Sequence, residues 1–127
     1  MLLDTHIVIW LAFSPEKLSA PAVEAIRNAN PDNLAISAAS FYEMLWLIDR
    51  KRVKASSGTK QFMAQVEKRF KILPIDSAIT AYAALRLNQF HADPMDRLIV
   101  ATALITNLTL ITADQHILAS KACKLLW

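Results

Sequence analysis

Five short apolar runs of β type, separated by stretches with helical spacing, constrain this chain more than any other feature. The runs are residues 1–3 (MLL), 34–37 (LAIS), 71–75 (KILPI), 108–112 (LTLIT) and 124–127 (KLLW). Residues 5–13, 20–29, 41–50, 58–70, 77–87 and 94–106 suit helices; in SAITAYAALRL apolar residues recur every three or four positions, the spacing of a helix that buries one face. The implied order, β-α-α-β-α-α-β-α-α-β-α-β, calls for an α/β domain with a mostly parallel sheet, since parallel neighbours need long crossovers. SPEKLSAP and ANPDN read as surface turns. A length of 127 residues fits one domain, residues 1–127, large enough for a real core.

An open parallel sheet also says where to look for chemistry. Ligands bind beyond the carboxyl ends of the strands, where the strand order reverses. Acids just after strands therefore carry weight: Asp4 after the first run, Glu43 in the helix after the second, Asp96 in the first turn of the helix feeding the fourth, and Asp114 directly after the fourth. A plain structural role competes for each. Ser40 to Glu43 matches a capping box and Asp93-Pro94 an N-cap with proline at N1, and an acid at a helix start gains about 0.3–1 kcal/mol from the helix dipole. Yet Asp4, Glu43 and Asp96 are embedded in apolar sequence, where carboxylates are costly and repel one another unless a cation intervenes. An acidic set with no His or Cys cluster suits Mg²⁺ or Mn²⁺, which prefer oxygen ligands, rather than zinc.

Composition narrows the setting. Hydrophobic residues make up 54% and glycine occurs once, which excludes a low-complexity or disordered chain. The net charge of +3 is compatible with nucleic acid, and DRKRVK (49–54) and KRFK (68–71) gather cations in the middle third. Cys123 stands alone, so no internal disulfide is expected and a reducing, cytoplasmic setting fits. No apolar stretch approaches the roughly 20 residues of a spanning helix. The apolar start, carrying Asp4 and His6 and no basic region, does not read as a signal peptide.

LLDTHIVIW, ISAASFYEM, DPMDRLIVATAL and LTLITAD, in that order and spacing, resemble the PIN-domain ribonucleases, and particularly the toxins of VapBC-type toxin–antitoxin pairs. The resemblance runs over nearly the whole chain. It implies a three-layer fold with a five-stranded parallel sheet ordered 3-2-1-4-5. It places the acidic quartet of the family on Asp4, Glu43, Asp96 and Asp114, as ligands of Mg²⁺ or Mn²⁺. It implies metal-dependent hydrolysis of RNA, a cognate antitoxin and a homodimer. Asp4 and Asp96 are then direct ligands, Asp114 ligates directly or through water, and Glu43 orients the attacking water. The same strand order puts Asp76, which also follows a strand, at the sheet edge, as a cap or loop acid.

Around this quartet, Thr5, Thr112 and Arg97 are candidate substrate contacts, with local backbone bonding or an Arg97–Asp93 pair as the alternatives. Asp93 reads as a helix cap. His6, His91 and His116 lack ligand spacing, and only His91 sits near the acids in sequence. The RKRVK run is either a solvated helix end or an RNA-backbone contact. Trp10, Phe13, Phe41 and Trp46 fall at helical spacing, so they belong to the core or line a groove for a partner helix. Rival readings are an inactive PIN-like domain that binds RNA or protein, a phosphotransfer receiver, and an aspartate-nucleophile phosphatase. The last needs DxD after strand 1, where this chain has Asp4-Thr5-His6; a receiver needs paired acids there and a later lysine.

Overall fold

A computed structural model describes residues 1–54, 58–87 and 93–127. Each expected strand forms, trimmed to its innermost residues: β1 (Leu2–Leu3), β2 (Ala35–Ser37), β3 (Lys71–Leu73), β4 (Leu110–Ile111) and β5 (Leu125–Leu126). All neighbours pair in parallel, in the order β3-β2-β1-β4-β5. Among the described residues seven α-helices make the crossovers: α1 (Thr5–Phe13), α2 (Ala20–Asn28), α3 (Ala38–Asp49), α4 (Thr59–Arg69), α5 (Ser77–Leu85), α6 (Pro94–Ile105) and α7 (Gln115–Ser120). The expected surface turns contain single 3-10 turns at Pro15–Lys17 and Pro31–Asn33.

Successive strand residues point to opposite faces, and here each face has its own core. Leu3, Ile36 and Ile111 pack with Ile7, Ile26, Met44, Phe62 and Val66 from α1 to α4. Leu2, Ala35 and Leu110 pack with Ile79, Ile99, Val100 and Ile117 from α5, α6 and α7. A sheet covered on both sides has apolar residues at consecutive positions, which is why the runs read as continuous rather than alternating. Ser37, at the end of β2, hydrogen-bonds through its hydroxyl to Thr102 of α6 at 3.1 Å, fixing the second layer of helices to the sheet.

One expected helix start moves. The capping box at Ser40 does not form; α3 begins three residues earlier, with Ser37 as its N-cap and its hydroxyl accepting from the Ala39 N–H at 3.2 Å. Ala38 and Ala39 are good helix formers, so nothing delays the helix beyond the strand end. Ser40 is instead buried in the first turn, with no hydrogen-bond partner for its hydroxyl among the described residues. Glu43 consequently sits in the second turn, clear of the helix terminus.

Helix ends show what a chain with one glycine must do. Lys51, Asn107 and Lys121 adopt left-handed backbone at φ 56°, 54° and 52°. After α3, the Lys51 N–H bonds to the Ile48 carbonyl and the Arg52 N–H to the Leu47 carbonyl, both at 2.9 Å, which is the Schellman arrangement. Glycine is the usual residue at that position, and a side chain there costs roughly 1–2 kcal/mol.

Two measurements check these points. Lys51→Gly should stabilise the protein by about 0.5–1 kcal/mol, part of the relief being returned to the more flexible unfolded chain, and raise Tm by about 2–4 °C. Burial pushes the Cys123 thiol up to about 11. Since the thiolate is the nucleophile, iodoacetamide should modify Cys123 at least tenfold more slowly in the folded than in the denatured protein at pH 7.5.

Candidate active site

The strand order reverses at β1, whose two neighbours are β2 and β4, so the switch point lies at its carboxyl end. Asp4 is the first residue beyond it. Its N–H donates to the Ile111 carbonyl at 3.1 Å, prolonging the β1–β4 ladder, and the residue is only 3% exposed. A carboxylate so buried is tolerable only if its lone pairs are used. Oδ1 accepts from the Thr5 N–H at 2.6 Å, making Asp4 the N-cap of α1; Oδ2 accepts from the Thr112 hydroxyl at 2.6 Å.

Thr112 lies just past β4 and is fully buried. Its hydroxyl also accepts from the Asp114 N–H at 3.0 Å, so one oxygen ties the β1 loop to the β4 loop. Asp114 in turn caps α7, its Oδ1 accepting from the Ile117 N–H at 2.8 Å. His6 joins from α1. Its Nε2 accepts from the Ala113 N–H at 2.9 Å, and its Nδ1 lies 3.4 Å from Asp4 Oδ2. A ring nitrogen that accepts from a backbone amide carries no proton, so the proton belongs on Nδ1, facing the carboxylate. The ring then stands edge-on to Trp10, with centroids 4.9 Å apart, and Trp10 meets Trp127 at 5.9 Å.

Glu43 reaches the same place from α3. Burial raises its pKa above the ordinary glutamate value, and the negative charges of Asp4 and Asp93 raise it further; the Thr5 hydroxyl and His6 work in the opposite direction. Thr5 Oγ1 is itself buried and makes no completed hydrogen bond, although it approaches Glu43 closely enough to favour the ionised form. Asp93 caps α6, its Oδ1 accepting from the Met95 N–H at 2.8 Å. Asp96 occupies the first turn of α6, three and four residues before the fully buried Ile99 and Val100, and so lies on the inward side of that helix.

The structure thus joins Asp4, Thr5, Glu43, Thr112 and Asp114 by contact or mutual charge, and places Asp96 on the adjoining helix start. Arg97 is directed elsewhere. It lines a cavity of about 240 Å³ with Thr80, Ala83, Ala84, Pro94 and Leu98, and its buried Nε has no hydrogen-bond partner among the described residues. Asp76 caps α5 through the Ile79 N–H at 2.9 Å, beyond edge strand β3. His91 falls outside the described residues. A cavity of about 710 Å³ with Met1, Asn33, Lys71 and Thr106 in its walls opens at the amino ends of the strands, away from the acids at their carboxyl ends.

Sequence reasoning passed over His6 and the second role of Asp93. Neither carries a local signal. His6 matters because β1–β4 pairing brings it to an amide 107 residues distant, and Asp93 because α6 packs on α3. Among the described residues no three Asp, Glu, His or Cys side chains converge into a ready ligand set. By donor chemistry, however, the acids fit a hard cation. They offer oxygen, burial and the charges of Asp4 and Asp93 raise the proton affinity of Glu43, and positive charge beside it would relieve that repulsion.

The PIN domain family matches residues 1–122. Ribonuclease VapC22 of Mycobacterium tuberculosis (strain ATCC 25618 / H37Rv) is 32% identical over 117 residues, covering 92% of this chain and 88% of the relative. The fold is similar to that of VapBC-1 from nontypeable Haemophilus influenzae (TM-score 0.74, 18% identity, 98% of this chain and 95% of that one). It is also similar to a toxin–antitoxin complex from Klebsiella pneumoniae (TM-score 0.71, 21% identity, 99% and 95%). With its sheet order, its acids at the switch point and a family match over almost its full length, this chain belongs to the PIN domain family and, within it, to the VapC type.

Proposed function

We propose that residues 1–127 act as one PIN domain with Mg²⁺- or Mn²⁺-dependent endoribonuclease activity, the toxin of a VapBC-type pair, working in the cytoplasm as a homodimer and held inactive by a cognate antitoxin. The observation that carries the reading is the electrostatic state of Glu43, whose proton affinity is raised by burial and by Asp4 and Asp93 beside it. Carboxylates crowded in this way lower the stability of the apoprotein and make sense as a site for a cation and a phosphodiester. The match to a named ribonuclease and the likeness to toxin–antitoxin structures support the substrate and the partner.

Asp4, Asp96 and Asp114 would hold the ion, with Glu43 at its edge. When bound, the ion supplies stabilisation of phosphoryl charge and a water acidic enough to attack at neutral pH. The chain's own residues do the rest. Thr112 and the Thr5 amide hold the Asp4 carboxylate in one orientation, with a lone pair on Oδ1 left for a ligand. His6 adds a polarised N–H to the same carboxylate. Glu43, with its elevated proton affinity, is suited to orient the attacking water and take up its proton. Thr5 Oγ1, beside Glu43, is placed to meet a phosphate oxygen. Thr112 is fully buried and gives its hydroxyl proton to Asp4, so it supports the carboxylate instead. Arg97 would need to leave its cavity to meet a phosphate.

Purified protein should cleave single-stranded RNA with Mg²⁺ or Mn²⁺ and stop on addition of EDTA. Asp4→Asn should lower the rate at least a hundredfold while circular dichroism stays unchanged. Full activity in that variant removes Asp4 from the site, and metal-saturated wild type that binds RNA without cutting it would leave an inactive binding domain. The sign of the Glu43 shift gives a second test. A raised carboxyl pKa means the fold disfavours the anion: the penalty is present above the folded pKa and vanishes below the unfolded one. Glu43→Gln should therefore abolish cleavage yet raise Tm of the metal-free protein at pH 7, and this gain should disappear near pH 4.

A further inference from the structure

Past Glu43, α3 carries a surface that neither core uses. Tyr42, Leu45 and Trp46 are exposed large apolar residues at spacings of three and four, so they form one stripe. Trp46 is 39% exposed and belongs to neither hydrophobic cluster. Two guanidinium groups lie within cation–π distance of its indole: Arg50 at 5.7 Å and Arg52 at 5.4 Å from the ring centre. Arg50 comes from the helix itself, one turn on. Arg52 arrives only because the left-handed Lys51 reverses the chain.

That turn is informative. The Schellman bonds already satisfy the last α3 carbonyls, so neither arginine is needed to end the helix. Arg50, Lys51, Arg52 and Lys54 gather four cations within five residues, against the single acid Asp49. Trp46 lies three residues, and Arg50 seven, beyond Glu43, so all three share one side of α3 within about 10 Å of helix axis.

We propose that Trp46, Arg50 and Arg52 form an RNA-holding subsite, in which a nucleobase stacks on the indole and the guanidiniums meet the flanking phosphates. The strand then runs along α3 from the acids at Glu43 to the helix end. The subsite rests on the ribonuclease reading above and extends it to where the uncleaved part of the substrate lies. Charge selects the occupant: a bare aromatic stripe would suit a protein helix, but a partly exposed indole with two arginines beside it in a basic cluster suits a polyanion with flat bases. Because stacking is indifferent to base identity, the subsite adds affinity and direction rather than sequence choice.

Fluorescence anisotropy with a labelled single-stranded oligoribonucleotide, in EDTA to prevent cleavage, tests it. Trp46→Leu keeps apolar bulk but no π-face and should weaken binding about tenfold, whereas Trp46→Phe should retain most of the affinity. Arg50→Gln with Arg52→Gln should also flatten the dependence of log K on log salt by about 1.4, the value for two lost single-strand phosphate contacts. With Mg²⁺, KM should rise at unchanged kcat in Trp46→Leu and in the double arginine variant, and stay near the wild-type value in Trp46→Phe. Wild-type affinity in a folded Trp46→Leu protein overturns the subsite and leaves the patch to a protein partner. Trp46-dependent binding without metal-dependent cleavage by the wild type sustains the subsite and overturns the ribonuclease reading instead.

Discussion

The 2.6 Å hydrogen bond from the Thr112 hydroxyl to Asp4 is the interaction on which the site depends. A nearly unexposed carboxylate at the end of the central strand is unfavourable by several kcal/mol unless it is paired or bonded. Thr112 provides that bond, and in accepting from Asp114 it also sets where the β4 loop can go. The Ala113 amide then meets His6, which closes the circuit back onto Asp4. Two loops brought together by β1–β4 pairing thus become one rigid corner, and α3 and α6 bring their acids up to it.

The arrangement trades stability for chemistry. Glu43 would be easier to bury as glutamine, and the charges of Asp4 and Asp93 make it harder still to ionise. Conflicts of this kind cluster at functional sites, and the surrounding packing keeps this one in place. The layers that do this are conventional. Each face of the sheet has its own apolar cluster, and the Ser37–Thr102 bond ties α6 to the sheet within one of them.

Much of this was legible in the residues. Consecutive apolar pairs such as Leu2-Leu3 and Leu110-Ile111 announce strands buried on both faces, and the spacing between them leaves room only for helical crossovers. The acids stood out because they follow strands. What stayed hidden has physical causes. Ser37 and Ser40 are equally good caps by composition, and only the end of β2 chooses between them. Helix ends without glycine leave no mark, so the left-handed Lys51, and with it the return of Arg52 to Trp46, had to be seen. Trp46 itself fits a core pattern by spacing, and only its position outside both clusters shows otherwise.

The brevity of β1 has a wider meaning. Its two residues divide their labour completely, Leu3 serving one core and Leu2 the other. A slip of one position would exchange both and draw Asp4 into the ladder beside Ile36 and Ile111, where no hydroxyl or amide awaits it. In this chain a misaligned sheet and a displaced Asp4 are the same error, so one strand register decides both how the two cores fill and whether the acid reaches the Thr112 hydroxyl.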